Sequence, residues 1–488
     1  MPPPRSFLRD PVLLVLTAIL GIAFAVYALY RQSYIGACDW YGYYEQANLF
    51  RHGHIALTTA LPAATYPSIV PLGFFFIDGL ILPQYPPGFP LLLAVAQWGH
   101  LEFFVTPLAG VLSVLCVYHL VKDLTDRWTG VLFAWLWAFF PIVVWGATNL
   151  MSDLVAALCL LASYLFYRRG RPALSALLLG FGVAVRPTNV LYLLPFALLL
   201  LRDRRLIRYG LWLSLPAAAY ALYNYTLYGA PWRTGYVAMS NDLITEVFRQ
   251  HLGFYALQTV LQCSPLVVLL AFAGFTRPRL EKIFFLLWFA IYVLFYSFWR
   301  SGGDRWWWTR FLLPAIAPVF FLAAIGFLRL REALQEKFPA ARTRRRALAA
   351  LYGCMAVLPV YFTAFGLYQN DLWFRQKGLI YYQVAKQTKA LVRPGSYIGS
   401  VEFAGSSRIY TPNLVPFVST HANAPALLEH VMSQGHDAYL IVEIWNKDDA
   451  IIRDLLRRFS GEKIKDLPFF GGPLPLYKLH PPAKAPGA

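Results

Sequence analysis

Long apolar runs constrain this chain more than any other feature. A bilayer core of about 30 Å needs about 20 consecutive apolar residues in a helix. Runs of that kind fill roughly 11–30, 103–121, 128–147, 149–167, 172–186, 187–201, 209–228, 255–275, 283–299, 309–330 and 347–367. Backbone groups inside a bilayer must be bonded within their own segment, so each run is expected to be a helix. Of the 488 residues, 58% are hydrophobic and 14% charged, with 15 Trp and 30 Tyr. That balance excludes a disordered chain and an ordinary soluble enzyme, and the aromatic content suits a membrane interface. The expected fold class is a membrane all-α protein with eleven transmembrane helices. Proline disfavours helix in the residue before it, so Arg186-Pro187 divides its run into two short spans or bends a single one, giving ten.

Charge sets the orientation. Short cytoplasmic loops are enriched in Lys and Arg. With the N-terminus inside, the inner segments up to residue 368 hold 21 basic residues and the outer ones eight. The formal net charge of +18 is thereby spent on topology rather than on nucleic acid. The first run is too long for a signal-peptide core and lacks a small-residue cleavage pattern, so it is read as a retained span. The five cysteines are odd in number and four fall inside apolar runs, which gives no disulfide framework. No 20–50-residue period repeats.

Three outer segments are too long or too polar to be turns. In the first, 31–89, a helix beginning at Cys38-Asp39-Trp40 and ending at Gly53 carries Trp40, Tyr43, Tyr44, Ala47 and Phe50 as one stripe, suited to the membrane interface. Ile77-Asp78-Gly79 between two β-prone runs predicts a hairpin, with a re-entrant apolar segment over 68–82 as the other reading. Tyr85-Pro86-Pro87-Gly88 then opens a second short helix ending near Trp98. The second segment, 229–254, carries Asp242 and Glu246. The third runs from Arg300 through Asp304 and Arg305, then three tryptophans, to Arg310. Arginines at the outer face run against the usual charge bias; they suit an anionic ligand, whose oxygens match the planar guanidinium fork, or they snorkel to lipid headgroups. Asp153 opens the fourth run. An ionised carboxylate there must face a polar cavity or an opposite charge, unless it serves only the helix dipole beside an Asn149 or Ser152 cap. His52-x-His54 is too few ligands for a metal site.

In order along one side of the membrane stand Asp39, the helix end Leu49-Phe50-Arg51-His52-Gly53, Tyr85-Pro86-Pro87-Gly88-Phe89-Pro90, Ser152-Asp153, Arg186-Pro187-Thr188 and Arg310-Phe311-Leu312-Leu313-Pro314. Together they resemble the integral-membrane glycosyltransferases of the GT-C superfamily, most nearly the bacterial family-39 type related to protein O-mannosyltransferases and lipid A aminoarabinose transferases. The resemblance implies inverting transfer of a hexose or pentose from a polyprenyl-phosphate-linked donor to a lipid, glycan or protein acceptor, outside a bacterial inner membrane, without a metal or other cofactor. It makes Asp39 the catalytic base. Many relatives have Asp-Glu at that position; here a single acid stands there, and Glu45 is a second candidate. Asp153 joins the catalytic carboxylates, Arg186, Arg305 and Arg310 are candidate donor-phosphate ligands, and Tyr85 and Asp304 candidate substrate contacts. A lipid-linked glycan flippase and an O-antigen ligase or polymerase are the competing functions.

Beyond about residue 369 hydropathy falls. Tyr397–Val401, Ala438–Val442 and Leu474–Tyr477 read as strands, Ala424–Ser433 and Asp449–Phe459 as amphipathic helices, which predicts a small extracytoplasmic α/β domain over 369–488 following a membrane domain over 1–368. A flexible tail is expected from Pro481.

Overall fold

Helix covers every apolar run in the computed structural model, which describes residues 10–236, 243–300, 302–338, 340–368, 378–469 and 472–482. Asp242 and the end of the expected tail lie outside the described residues. By length and composition, five helices can cross a membrane: Pro11–Tyr30, Glu102–Leu124, Leu280–Ser297, Trp306–Lys337 and Ala341–Gly366. Two bent pairs raise the number to seven. Arg127–Ala138 and Pro141–Thr148 meet at 60°, and Phe248–Cys263 and Pro265–Phe275 at 103°. The second bend has a local cause. Ser264 takes φ +70, its hydroxyl accepts the Val267 N–H, and Pro265 starts a new helix. A continuous apolar run therefore need not be one straight rod. Pro172–Val185 and Pro187–Arg202 are apolar but shorter, and the described residues support five to seven spans by these criteria rather than a count of eleven.

The chain divides into two compact units. The first comprises 1–31, 103–223 and 237–375 and contains most of the helices. One close helix contact runs through glycine: a Cβ on Gly274 would lie 1.9 Å from the Leu322 carbonyl, and one on Gly326 would lie 1.9 Å from that of Leu270. Small residues at such crossings let apolar helices approach where burial from water offers no drive. Trp137 donates to Ser113 at 3.0 Å within the same interior.

The second unit comprises 32–102, 224–236 and 376–488, so the first outer segment folds with the C-terminal segment. Helix Cys38–Arg51 ends at His52 and Gly53, the latter at φ +75. The hairpin is present: β1 (Phe74–Ile77) pairs antiparallel with β2 (Leu80–Pro83), and Ile77 faces Leu80 across Asp78 (φ 48) and Gly79 (φ 85). Two positive φ values in a two-residue loop match the twist of the flanking strands. Helix Gly88–Gln97 follows.

The C-terminal sheet has β3 (Tyr397–Ser400), β4 (Val415–Val418), β5 (Ala438–Ile441), β6 (Glu462–Leu467) and β7 (Leu474–Leu479) in the order β4-β3-β5-β7-β6. The pairs β3–β4 and β3–β5 are parallel, and β5–β7 and β6–β7 antiparallel. Helix Ala424–Ser433 matches its expected bounds, and Asp449 caps Ala450–Arg458 by accepting from Ile451 and Ile452. Strands β4 and β6 were not anticipated: β4 carries a proline, and five of the six residues of β6 are exposed, as in a charged edge strand.

Candidate functional site

Each compact unit holds one cluster of the residues singled out above. In the helical unit the cluster begins at the break before Pro187. Helix Pro172–Val185 stops there and Arg186 is extended at φ −150, ψ 109, as the ring of the following proline requires. A 3-10 turn over Pro187–Tyr192 restarts the chain. Asn189 fixes that turn: its amide donates to the Gly182 carbonyl at 3.0 Å and accepts from the Tyr292 hydroxyl at 3.2 Å.

Arg186 is thus projected from a rigid corner. Its guanidinium is bonded to the Asp153 carboxylate, the side chains being 14% and 3% exposed. Its Nε donates to the Tyr296 hydroxyl at 3.2 Å, and that hydroxyl lies 2.8 Å from Thr188 Oγ1. Asp153 stands in the first turn of Asp153–Arg168, where Ser152 makes no side-chain cap. Asn149 donates backward to the Trp145 carbonyl at 2.7 Å, so neither residue caps the helix. Asp153 therefore meets the opposite charge that its burial demands.

Arg310 converges on the same place. It is buried in the 3-10 turn Trp306–Leu312, and its guanidinium lies 5.2 Å from the Phe311 ring, whose other near cation is Arg186 at 5.0 Å. Trp145, Trp307 and Trp308 surround Arg310 at 5.2–5.5 Å. Two guanidiniums at one ring repel each other, and an anion held between them relieves that cost. Arg305 and Asp304 are 67% and 70% exposed and pair loosely with each other at 4.0 Å. Asp304 also accepts from the Trp308 indole at 2.6 Å.

Sequence reading missed Tyr255. Its fully buried hydroxyl has no hydrogen-bond partner among the described residues and lies within electrostatic reach of Arg186, Arg310 and Tyr296. His251, one turn earlier, is buried against the loop at Gly303, where a Cβ would come within 2.4 Å of its ring. Spacing of four along Phe248–Cys263 puts both on one helix face.

In the second unit, Asp39 lies in the first turn of Cys38–Arg51, and its Oδ1 accepts the Tyr85 hydroxyl at 2.7 Å. Two residues chosen separately from the sequence therefore meet. Tyr85 is buried and fixed on several sides: it packs on Tyr43 with ring centroids 4.3 Å apart, Gln46 donates to its carbonyl at 3.0 Å, and Gly42 leaves room for its ring. A Cβ on Gly42 would lie 2.1 Å from that ring. The expected interfacial stripe is partly enclosed by protein, since Tyr43 and Ala47 are buried and Trp40 meets the edge of Tyr381.

The C-terminal segment supplies a carboxylate that sequence could not assign. Glu402 Oε2 accepts the Cys38 N–H at 3.1 Å, capping the helix that carries Asp39, whose own cap residue, Ala37, has no side chain to do so. Burial, with the charge of Asp39 added, raises the Glu402 carboxyl above its ordinary value. Glu443 holds that loop by accepting the N–H groups of Val401, Glu402 and Phe403 at 2.9–3.2 Å, and burial pushes it up to about 7. Glu45 points elsewhere. It lies 4.0 Å from Arg408, and burial raises its carboxyl despite that arginine. His52 bonds its own helix at Asn48, and among the described residues no group of three or more His, Cys, Asp or Glu could hold a metal.

Comparison with known proteins places this architecture. ArnT from Cupriavidus metallidurans in the apo state superposes with a TM-score of 0.64 at 11% identity, over 95% of this chain and 97% of that one. The same protein bound to undecaprenyl phosphate gives 0.60 at 12% identity over the same shares. The apo oligosaccharyltransferase of Archaeoglobus fulgidus gives 0.59 at 13% identity, over 91% of this chain and 71% of that one. The fold is that of ArnT and of the archaeal oligosaccharyltransferase. Within it, residues 92–226 match the model of the dolichyl-phosphate-mannose-protein mannosyltransferase family. No curated protein sequence matches the chain.

Proposed function

We infer that this protein is an inverting glycosyltransferase that moves one hexose or pentose from a polyprenyl-phosphate carrier to an acceptor hydroxyl at the outer face of a bacterial cytoplasmic membrane. The observation that carries the reading is the meeting of the half-buried Arg186 and the buried Arg310 at Phe311, with Asp153 and Tyr296 orienting the first. A polyprenyl phosphate is an anion on an apolar tail, and a preorganised guanidinium pair in an aromatic setting suits it. The likeness to ArnT, whose structure has been determined with undecaprenyl phosphate, supports the same donor class. The reading includes eleven spans, a cytoplasmic N-terminus and an outer C-terminal domain.

In the reaction the acceptor oxygen attacks the anomeric carbon from the face opposite the phosphate. The bond from that carbon to the phosphate oxygen breaks, its electron pair leaves with the phosphate, and the acceptor proton passes to Asp39. Tyr85 donates to the Asp39 oxygen that does not take the proton and so orients the carboxylate. Arg186 and Arg310 stabilise the charge growing on the phosphate, and the Tyr255 hydroxyl donates to one of its oxygens. Asp153 acts through Arg186 as a positioning residue. Arg305 and Asp304 lie exposed and meet the donor on approach.

The test is the full chain in liposomes with a polyprenyl-phosphate carrying a radiolabelled sugar, added to envelope membranes from a strain lacking the gene. Label is expected to leave the carrier and appear on an envelope component whose mass rises by one sugar. Label that crosses the bilayer still attached to its carrier would identify a flippase and overturn the reading. A second result is expected from Gly42→Ala. The new methyl group displaces the Tyr85 ring, at an overpacking cost of about 1–3 kcal/mol, and transfer falls about tenfold or more with the carboxylate itself untouched. A wild-type rate in a folded Gly42→Ala protein would remove Tyr85 from the mechanism.

A further inference from the structure

A polar hollow in the second unit lies beside Glu45 rather than Asp39. It is a cavity of about 510 Å³ bounded by helix 38–51, the loop at Ala60 and the C-terminal segment 408–416. That size falls among small-ligand sites, which span about 300–1,000 Å³. Its polar wall consists of Glu45, Asn48 and Arg408, and its apolar wall includes Tyr44, Pro412 and Pro416. Arg408 is anchored by donating to the Thr58 carbonyl at 2.5 Å.

The charges select the ligand. Glu45 and Arg408 are 4.0 Å apart, too far for a tight bond, so each keeps hydrogen-bonding capacity toward the cavity. An anion entering here meets the Glu45 carboxylate and a cation meets the Arg408 guanidinium, so neither is favoured over a neutral molecule. A lipid tail would press hydrocarbon against the charged Glu45 carboxylate and Arg408 guanidinium, at a desolvation cost. A neutral ring bearing adjacent hydroxyls fits. Each hydroxyl both donates and accepts, so one can give to Glu45 and another receive from Arg408, with the Asn48 amide serving either way. The apolar C–H face of such a ring packs on Tyr44 and the two prolines.

We propose that this cavity binds an uncharged saccharide through Glu45, Asn48 and Arg408. Taken with the transfer reaction, and resting on that reading, the ligand is the sugar portion of the acceptor. The cavity then selects which glycan is presented.

The test uses the full chain in lipid nanodiscs free of glycoside detergent, with maltotriose and methyl α-D-mannopyranoside as neutral probes and glucose 1-phosphate as an anionic one, observed by saturation-transfer NMR. Saturable binding of a neutral probe is expected, weakened about tenfold or more in Arg408→Gln and in Ala60→Trp. The second variant fills the cavity from an exposed position and keeps the test sound if the first fails to fold. No binding of either neutral sugar, binding indifferent to Ala60→Trp, or preference for glucose 1-phosphate would each overturn the proposal. In the transfer assay, Ala60→Trp should slow the reaction at limiting acceptor membrane and recover as membrane is added; an unchanged rate would remove the acceptor role. Sugar binding without transfer from any lipid-phosphate donor would sustain the saccharide site while overturning the transferase reading. Transfer with cavity-indifferent binding would do the reverse.

Discussion

Asp39→Asn is expected to lower sugar transfer by about 10²–10⁴-fold, the usual contribution of a positioned general base. The substitution is chosen because it changes little else. The amide oxygen of Asn can still accept the Tyr85 hydroxyl that reaches Asp39 at 2.7 Å. The start of the helix remains capped from Glu402 through the Cys38 N–H. The variant loses only the ability to take a proton. Donor binding, followed by protection of the chain against thermal unfolding when the lipid phosphate is added, should stay within about twofold of wild type. A loss confined to the turnover number, with KM kept, marks a group acting in the transition state. Should the Asn variant turn over at the wild-type rate, Asp39 is not the base. Glu402 then becomes the next carboxylate to replace, since Asp39 is close enough to raise it.

The physical signals that the sequence carries at short range survive in the structure. Asp78-Gly79 supplies two residues that tolerate positive φ, and the hairpin forms around them. Arg186-Pro187 forbids helix locally, and the chain breaks there. Apolar runs report which segments are helical because that demand acts residue by residue. They do not report bends, since the 103° turn at Ser264 depends on one residue's backbone conformation.

Long-range partners were less legible. Asp153 called for a counter-charge, but only the fold identifies it as Arg186, 33 residues away. Glu402 and Arg408 lie in a segment whose helix, Phe403–Tyr410, is too short to declare itself by period, and their partners are 364 and 350 residues distant. Tyr255 looked like one more aromatic in an aromatic-rich chain, and what distinguishes it is a buried hydroxyl without a hydrogen-bond partner among the described residues. Glu45 and Asp39 share a helix, yet six residues turn them toward different surroundings, Glu45 to Arg408 and Asp39 to Tyr85.

Arg186→Ala should damage both stability and transfer, and separating the two is the decisive use of the Asp153 pair. Removing the guanidinium leaves a carboxylate that is 3% exposed without its ion-pair partner, a loss of about 3–5 kcal/mol for a buried pair. The single variant should therefore unfold at lower temperature, and a low rate in it proves little. Replacing both partners with apolar residues of similar volume, Arg186→Met with Asp153→Leu, removes the stranded charge, and such exchanges are often neutral or stabilising. Thermal stability of the double variant should return to near the wild-type value. Transfer should not, because in the proposed reaction the lost group stabilises the phosphate as it departs. The deficit expected is about 10²–10³-fold, the size seen when one charge-stabilising donor is removed from a preorganised site. Arg310, held by the surrounding tryptophans and Phe311, should then supply what donor binding remains, so adding Arg310→Ala abolishes it. If the double variant recovers transfer together with stability, the Arg186–Asp153 pair is a structural tie and the phosphate is held by other groups.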